Sequence, residues 1–180
     1  MKKQYLFRLL GLMLFPNLLY ATPYYGAQAS YIVVPKEPSN IHGYQLMLNY
    51  DPGNLHWNKV SLYFDGGFSH FWVTNTPYYR TINIYSVAPV MRYHFQGTPY
   101  FEPFLELSVG LSYLNHTHLD SRNLGIHFAF QDRLGIGAFL GADQHVTAGV
   151  HAVHYSNAHL SSRNSGLTAL VVFDLGYRFS

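Results

Sequence analysis

The stretch Leu105-Glu106-Leu107-Ser108-Val109-Gly110-Leu111-Ser112-Tyr113 decides how the rest of this chain reads. Leu105, Leu107, Val109, Leu111 and Tyr113 share one face of an extended segment, and Glu106, Ser108, Gly110 and Ser112 share the other, because side chains alternate along a strand. A helix would scatter both sets around its axis. The segment from Pro99 to Leu114 therefore reads as a β-strand with one apolar face and one small or polar face.

The same alternation recurs outward in both directions. Tyr85, Val87, Met91, Tyr93 and Phe95 oppose Ser86, Ala88, Arg92 and His94, and at the end of the chain Val171, Phe173, Leu175, Tyr177 and Phe179 oppose Asp174, Gly176 and Arg178. Eight segments of this kind can be drawn, roughly 24–34, 43–50, 59–74, 81–95, 99–114, 126–141, 145–157 and 167–179. Outer-membrane barrels start at about eight strands of about ten residues, in even number. Tight connections, Asp51-Pro52-Gly53-Asn54, Gln96-Gly97-Thr98 and Ala142-Asp143-Gln144, alternate with longer polar ones such as Asn115 to Arg122 and Asn157 to Ser165. Short turns on the periplasmic side and long loops outside give the same alternation. Pro89 interrupts a strand and donates no hydrogen bond, so a bulge is expected there. The expected fold is all-β, an eight-stranded antiparallel transmembrane β-barrel.

Composition agrees. Charged residues are 11% and aromatics 17% of the 180 residues, with no cysteine. Soluble proteins carry about 25% charge, whereas aromatic rings suit the two interfaces of a membrane. A net charge of +2 without a basic run gives no support to nucleic acid as a partner, and none is expected. Lys2, Lys3 and Arg8 precede an apolar run from Leu9 to Leu19, and Leu19-Tyr20-Ala21 ends in a small residue. Residues 1–21 thus read as a signal peptide, with Thr22 starting the mature barrel domain of 22–180. Tyr177-Arg178-Phe179 resembles the aromatic-ended last strand that the barrel-assembly machinery recognises, although Ser180 follows it.

One strand carries candidate chemistry. In 145–157, Val146, Ala148, Val150 and Ala152 share a face that His154 and Ser156 continue. Polar groups aimed at lipid are costly and usually functional, and a serine beside a histidine can attack an ester. If 126–141 and 145–157 form a hairpin over Ala142-Asp143-Gln144, Leu140 faces Val146, Ala138 faces Ala148, Ile136 faces Val150 and Leu134 faces Ala152. Asp132 then stands opposite His154 with Cβ atoms about 5 Å apart. Two readings of Asp132 follow: a carboxylate serving His154, or an interface residue paired with Arg133 or water. A slip of one residue would turn it to the other face. The Asn115-His116-Thr117-His118 cluster reads as a solvated loop.

His154-Tyr155-Ser156-Asn157-Ala158, with Leu160 and Asn164-x-Gly166 downstream, closely resembles the signature of the PagL family of lipid A 3-O-deacylases. The Gly135-x-Gly137 strand and the last strand are similar to that family too. The resemblance implies an active site on the outer surface of the barrel, in the bacterial outer membrane among outer-membrane lipids. It implies hydrolysis of the 3-position ester of lipid A, the substrate being lipopolysaccharide, with no metal and no organic cofactor. Ser156 is then the nucleophile, His154 the general base, and Asn157 with nearby backbone N–H groups the candidates for the oxyanion. The family's third residue is a glutamate that orients the histidine, and a gap-free count places Thr168 there. A threonine carries no charge for an imidazolium, and Asp132 is the candidate substitute.

The competing expectations are a non-catalytic small barrel of adhesin or membrane-stability type with a degenerate site, an acyltransferase-like barrel, which needs an acyl-binding interior, and a soluble lipocalin-like barrel. The acyl chain released, latency in an intact membrane and the choice between monomer and homodimer are left open by the sequence.

Overall fold

The computed structural model describes residues 22–34, 41–74 and 76–179; the expected signal peptide and Ser180 lie outside the described residues. The eight expected strands are all present: β1 (Tyr24–Val34), β2 (Ile41–Asp51), β3 (Val60–Val73), β4 (Thr81–His94), β5 (Phe101–Leu114), β6 (Phe128–Leu140), β7 (Val146–Ser156) and β8 (Leu167–Phe179). Each pairs antiparallel with the next, and β8 returns to β1 from Tyr25↔Phe179 to Val33↔Val171. That last pairing closes the barrel. Closure satisfies the backbone of every strand without a free edge, which is what the hydrocarbon region demands.

The faces fall as the alternation dictates. Leu105, Leu107, Val109, Leu111 and Tyr113 are exposed on the outside of β5, while Ser108 and Ser112 are buried inside. Leu46, Leu48, Val87, Met91, Leu134, Ile136, Phe173, Leu175 and Tyr177 extend the outer apolar surface around the wall. A continuous apolar girdle of this extent is a liability in water and the ordinary surface in a bilayer.

The interior is filled. At the end carrying the long loops, Ile32, Phe71, Ile82, Ile84, Leu114, Leu119, Leu124, Tyr155, Leu167 and Val172 form an apolar plug. Below it Gln45 Nε2 donates to Ser69 Oγ (2.9 Å) and to the Tyr155 hydroxyl (3.1 Å), and Arg133 pairs with Asp65. His151 Nδ1 lies 2.6 Å from Asp174 Oδ2. Near the turns, Arg92 Nε and the Tyr63 hydroxyl both donate to Glu106 Oε1 at 2.6 Å. Arg92 and Arg133 thus each meet a carboxylate inside the barrel, as low polarity requires of buried charge.

Two local expectations change. Pro89 forms no bulge: Val87↔Leu111 and Val90↔Ser108 keep one register across it, and Phe64↔Pro89 pairs on the other side. The ladder to β5 omits Ala88 and Pro89 without inserting a residue, so the missing N–H is absorbed locally. The bulge lies instead in β8, where His151↔Val172 is followed by Val153↔Ala169. Three residues of β8 advance against two of β7, so Leu170 and Val171 together oppose Ala152. In the outer loop, His118–Leu119 pairs with Arg122–Asn123, and His118 stacks on Tyr79 with ring centroids 4.7 Å apart. The histidine cluster is therefore partly ordered rather than simply solvated.

Candidate functional site

The hairpin register places the site. Gln144 N–H donates to Gly141 O at 3.1 Å, and Val146↔Leu140 opens a ladder running without slip through Ala148↔Ala138, Val150↔Ile136 and Ala152↔Leu134 to His154↔Asp132. Val153 and Tyr155 are buried inside the barrel, so His154 and Ser156 point outward between and beyond them. Asp132 is outward as well, flanked by buried Gln131 and Arg133.

The β8 bulge completes the row. On unbroken alternation Thr168 would share the inward face of Asp174 and Gly176. The extra residue reverses that parity, and Thr168 pairs directly with His154 on the outside. Its Oγ1 lies 2.7 Å from His154 Nδ1. An imidazole that donates from Nδ1 to this hydroxyl keeps a lone pair on Nε2, the form a general base needs. Asp132, His154 and Thr168 therefore stand side by side on three adjacent strands, with Val109 of β5 continuing the row.

Leu107, Val109, Leu134 and Ala152 surround the row and, with Asp132, His154 and Thr168, line an open hollow of about 350 Å³ on the lipid-facing wall. Ser156 ends β7, two residues beyond His154, so its Cβ lies about 6.6 Å from that of His154 by strand rise. No hydrogen bond joins Ser156 to the imidazole among the described residues.

Gly166 fixes the other side of the imidazole. Its φ of +62° lies in the left-handed region, and a Cβ there would stand 3.0 Å from His154 Cε1. Glycine meets both conditions without strain. Its carbonyl accepts a hydrogen bond from Arg122 at 3.2 Å.

The Asn157 side chain, the expected oxyanion candidate, is engaged elsewhere in this structure. It is 1% exposed, and both hydrogens of its amide are taken up by the carbonyls of Leu124 and Arg163, each at 2.8 Å. Its backbone N–H donates to Asn164 Oδ1 at 3.0 Å. The side chain has no donor left for an oxyanion; it latches the loop after β7 to the loop before β6. Sequence reading missed that latch, for which the signal was Leu119 and Leu124, two apolar residues in a polar stretch that turn out fully buried. It also missed the turn that follows Asn157, where Ala158 and His159 adopt φ of 50° and 63°. Consecutive left-handed non-glycine residues store strain, which concentrates at functional sites. Among the described residues no group of three His, Cys, Asp or Glu side chains is arranged to hold a metal.

The family model described as lipid A 3-O-deacylase (PagL) matches residues 24–178, nearly the whole barrel. The chain belongs to the PagL family. A lipid A deacylase PagL from Pseudomonas aeruginosa is 39% identical over 88 residues, a stretch covering 49% of this chain and 49% of that protein, so the alignment spans about half the length of this curated relative. The barrel superimposes on the crystal structure of the outer membrane enzyme PagL with a TM-score of 0.69 and 27% identity, covering 86% of this chain and 99% of the other. Neisserial surface protein A matches with a TM-score of 0.56 at 13% identity, over 89% of this chain and all of that one, a likeness of fold alone.

Proposed function

We propose that this protein is an outer-membrane esterase that removes the 3-position ester-linked acyl chain of lipid A in the outer leaflet. The observation that carries the reading is the outward placement of His154 and Ser156 at the loop end of β7, on the wall that meets lipid, within a chain of the PagL family. A site for a soluble substrate would open to the barrel mouth or interior. Here the interior is filled by the apolar plug and its ion pairs, which also argues against an acyltransferase that holds its acyl chain inside.

The chemistry follows from the tautomer. His154 Nε2 accepts the Ser156 hydroxyl proton as Oγ attacks the ester carbonyl carbon. The tetrahedral intermediate collapses with cleavage of the bond to the sugar oxygen, which takes the proton from Nε2 and leaves as an alcohol. Water then donates a proton to Nε2 while its oxygen attacks the acyl-serine, and Ser156 departs with that proton as the fatty acid is released. The developing oxyanion falls to the backbone N–H groups of Ala158 and His159 in the strained turn, since the Asn157 amide and the Asn157 and Leu160 N–H groups are occupied. The hollow of Leu107, Val109, Leu134 and Ala152 receives the acyl chain beside the imidazole. Insertion runs through the barrel-assembly machinery, for which Tyr177-Arg178-Phe179 on β8 is the signal.

A non-catalytic binding barrel is the alternative that Thr168 favours, because the motif's acid is absent. Mass spectrometry of lipid A incubated with the refolded barrel in detergent, beside Ser156→Ala, separates the two. Loss of one ester-linked acyl group with the parent alone is the expected result; intact lipid A with a folded parent would refute the enzyme.

A further inference from the structure

The acid position of this site holds a hydroxyl, yet an imidazolium that forms during acyl transfer needs a negative charge nearby. Two observations supply one. First, the ladder of β6 against β7 is unbroken from Val146↔Leu140 to Ser156↔Phe130, so Asp132 is directly opposite His154, with Cβ atoms about 5 Å apart. Second, the cation beside Asp132 in sequence is not its partner. Arg133 is buried inside the barrel, where it pairs with Asp65. Of the interface reading, the pairing with Arg133 therefore fails on geometry, and a carboxylate held by water alone is the alternative that the test below separates. What remains is an exposed carboxylate on a lipid-facing strand whose other outward residues, Leu134 and Ile136, are apolar. An acid on that face carries a penalty and calls for a reason.

We infer that the acid role is divided between two strands: Thr168 orients His154 through Nδ1, and the Asp132 carboxylate supplies the charge from the opposite side of the imidazole. In a triad glutamate one group does both. Here the β8 bulge delivers a neutral acceptor that sets the tautomer, and the β6–β7 register delivers the charge. No proton passes to Asp132, which acts through space on the protonated ring. It is a positioning and electrostatic residue, and it touches no reacting atom. The inference rests on the esterase reading of His154 and Ser156.

Its test is a double-mutant cycle between Asp132→Asn and Thr168→Glu, with kcat and KM for lipid A measured separately in detergent on barrels shown to be folded. A second readout is the rate at which a fluorophosphonate modifies Ser156, which needs an activated serine but no lipid A. A charge at this separation near a partly wetted surface acts with an effective dielectric of about 20 or more, so Asp132→Asn is expected to lower kcat and the labelling rate by about 10- to 100-fold with KM within about twofold. Thr168→Glu restores both rates in the Asp132→Asn background and raises them far less in the parent, since one carboxylate suffices. Three results overturn the inference: parent rates in Asp132→Asn, a loss confined to KM, or an active Thr168→Glu variant that fails to rescue. If the parent leaves lipid A intact but Ser156 is labelled in an Asp132-dependent way, the substrate assignment falls and the divided acid stands. If the folded parent is inert in both assays, both readings fall.

Discussion

Replacing Gly166 with alanine isolates how tightly the imidazole of His154 is held. The added Cβ meets two penalties. The backbone at φ +62° disfavours an L side chain by about 1 kcal/mol. The Cβ would also lie 3.0 Å from His154 Cε1, against an ordinary closest contact of 3.4 Å, so the ring must yield by about 0.4 Å. A misplacement of about 1 Å in a reacting group can lower a rate about 100-fold, and 0.4 Å on the same scale gives roughly 5- to 10-fold. Gly141→Ala is the control. Its φ is +85° and nothing lies within 4 Å of the added atom, in the turn at the opposite end of the barrel. Both variants should lose about 1 kcal/mol in urea unfolding from detergent, but only Gly166→Ala should lose deacylation rate, with Thr168→Val in that background causing a smaller further loss than in the parent. Equal activity of the two glycine variants would show that Gly166 does not set the ring, and the account of the imidazole's position would be wrong.

Asn157→Ala removes two hydrogen bonds to loop carbonyls, and is expected to cost about 1–3 kcal/mol locally and to speed proteolytic nicking between 157 and 166 before the barrel itself unfolds. Asp65→Asn leaves Arg133 buried without its counter-charge and should destabilise by about 3–5 kcal/mol in urea, most of which Asp65→Leu with Arg133→Met regains. Ile136→Arg places a charge on the outer apolar wall; refolding into lipid bilayers should weaken by about 2–4 kcal/mol if that residue sits near the midplane, a penalty a water-facing surface would not impose.

Much of this architecture was legible because barrels repeat a two-residue period. Ser108 and Ser112 inside and Leu107 and Val109 outside follow from counting, and so does the Asp132–His154 pairing once Ala142-Asp143-Gln144 fixes the turn. Counting fails where the chain breaks its own period. The bulge at Leu170 and Val171 has no glycine and no polar residue to announce it, and it sits where both faces accept apolar side chains. Alternation alone sends Thr168 inside, so its bond to His154 could be reached only through the motif or the structure. Pro89 misled in the opposite direction: the residue that advertises a bulge sits in an unshifted ladder. The engagement of the Asn157 amide was hidden for a different reason. Its partners, Leu124 and Arg163, belong to two loops whose approach depends on the plug beneath them, and no local pattern encodes that distance.

A hydrolase acting on a membrane lipid has to bring water and an acyl chain to the same carbonyl, and the height of the site on the wall resolves that conflict. His154 is two residues from the end of β7, and Ser156 is the last residue before the loop. Below them Ala152, Leu134 and Leu107 continue the apolar hollow into the membrane. Above them the latched loops of Asn157 and Leu124 bound the polar side. On the proposed esterase reading, the acyl chain lies along the lower wall while the ester meets Ser156 at the rim, where water reaches the acyl-serine. Holding the chemistry on three hydrogen-bonded strands gives it the rigidity that a loop-borne site lacks, and the outward direction demands that its polar groups satisfy one another. Thr168 does so by hydrogen bond, and on the divided-acid proposal Asp132 does so by charge once the ring is protonated. On that proposal, an aspartate, a histidine and a threonine stand in a row on a surface otherwise rich in leucine, isoleucine and valine because each serves the imidazole.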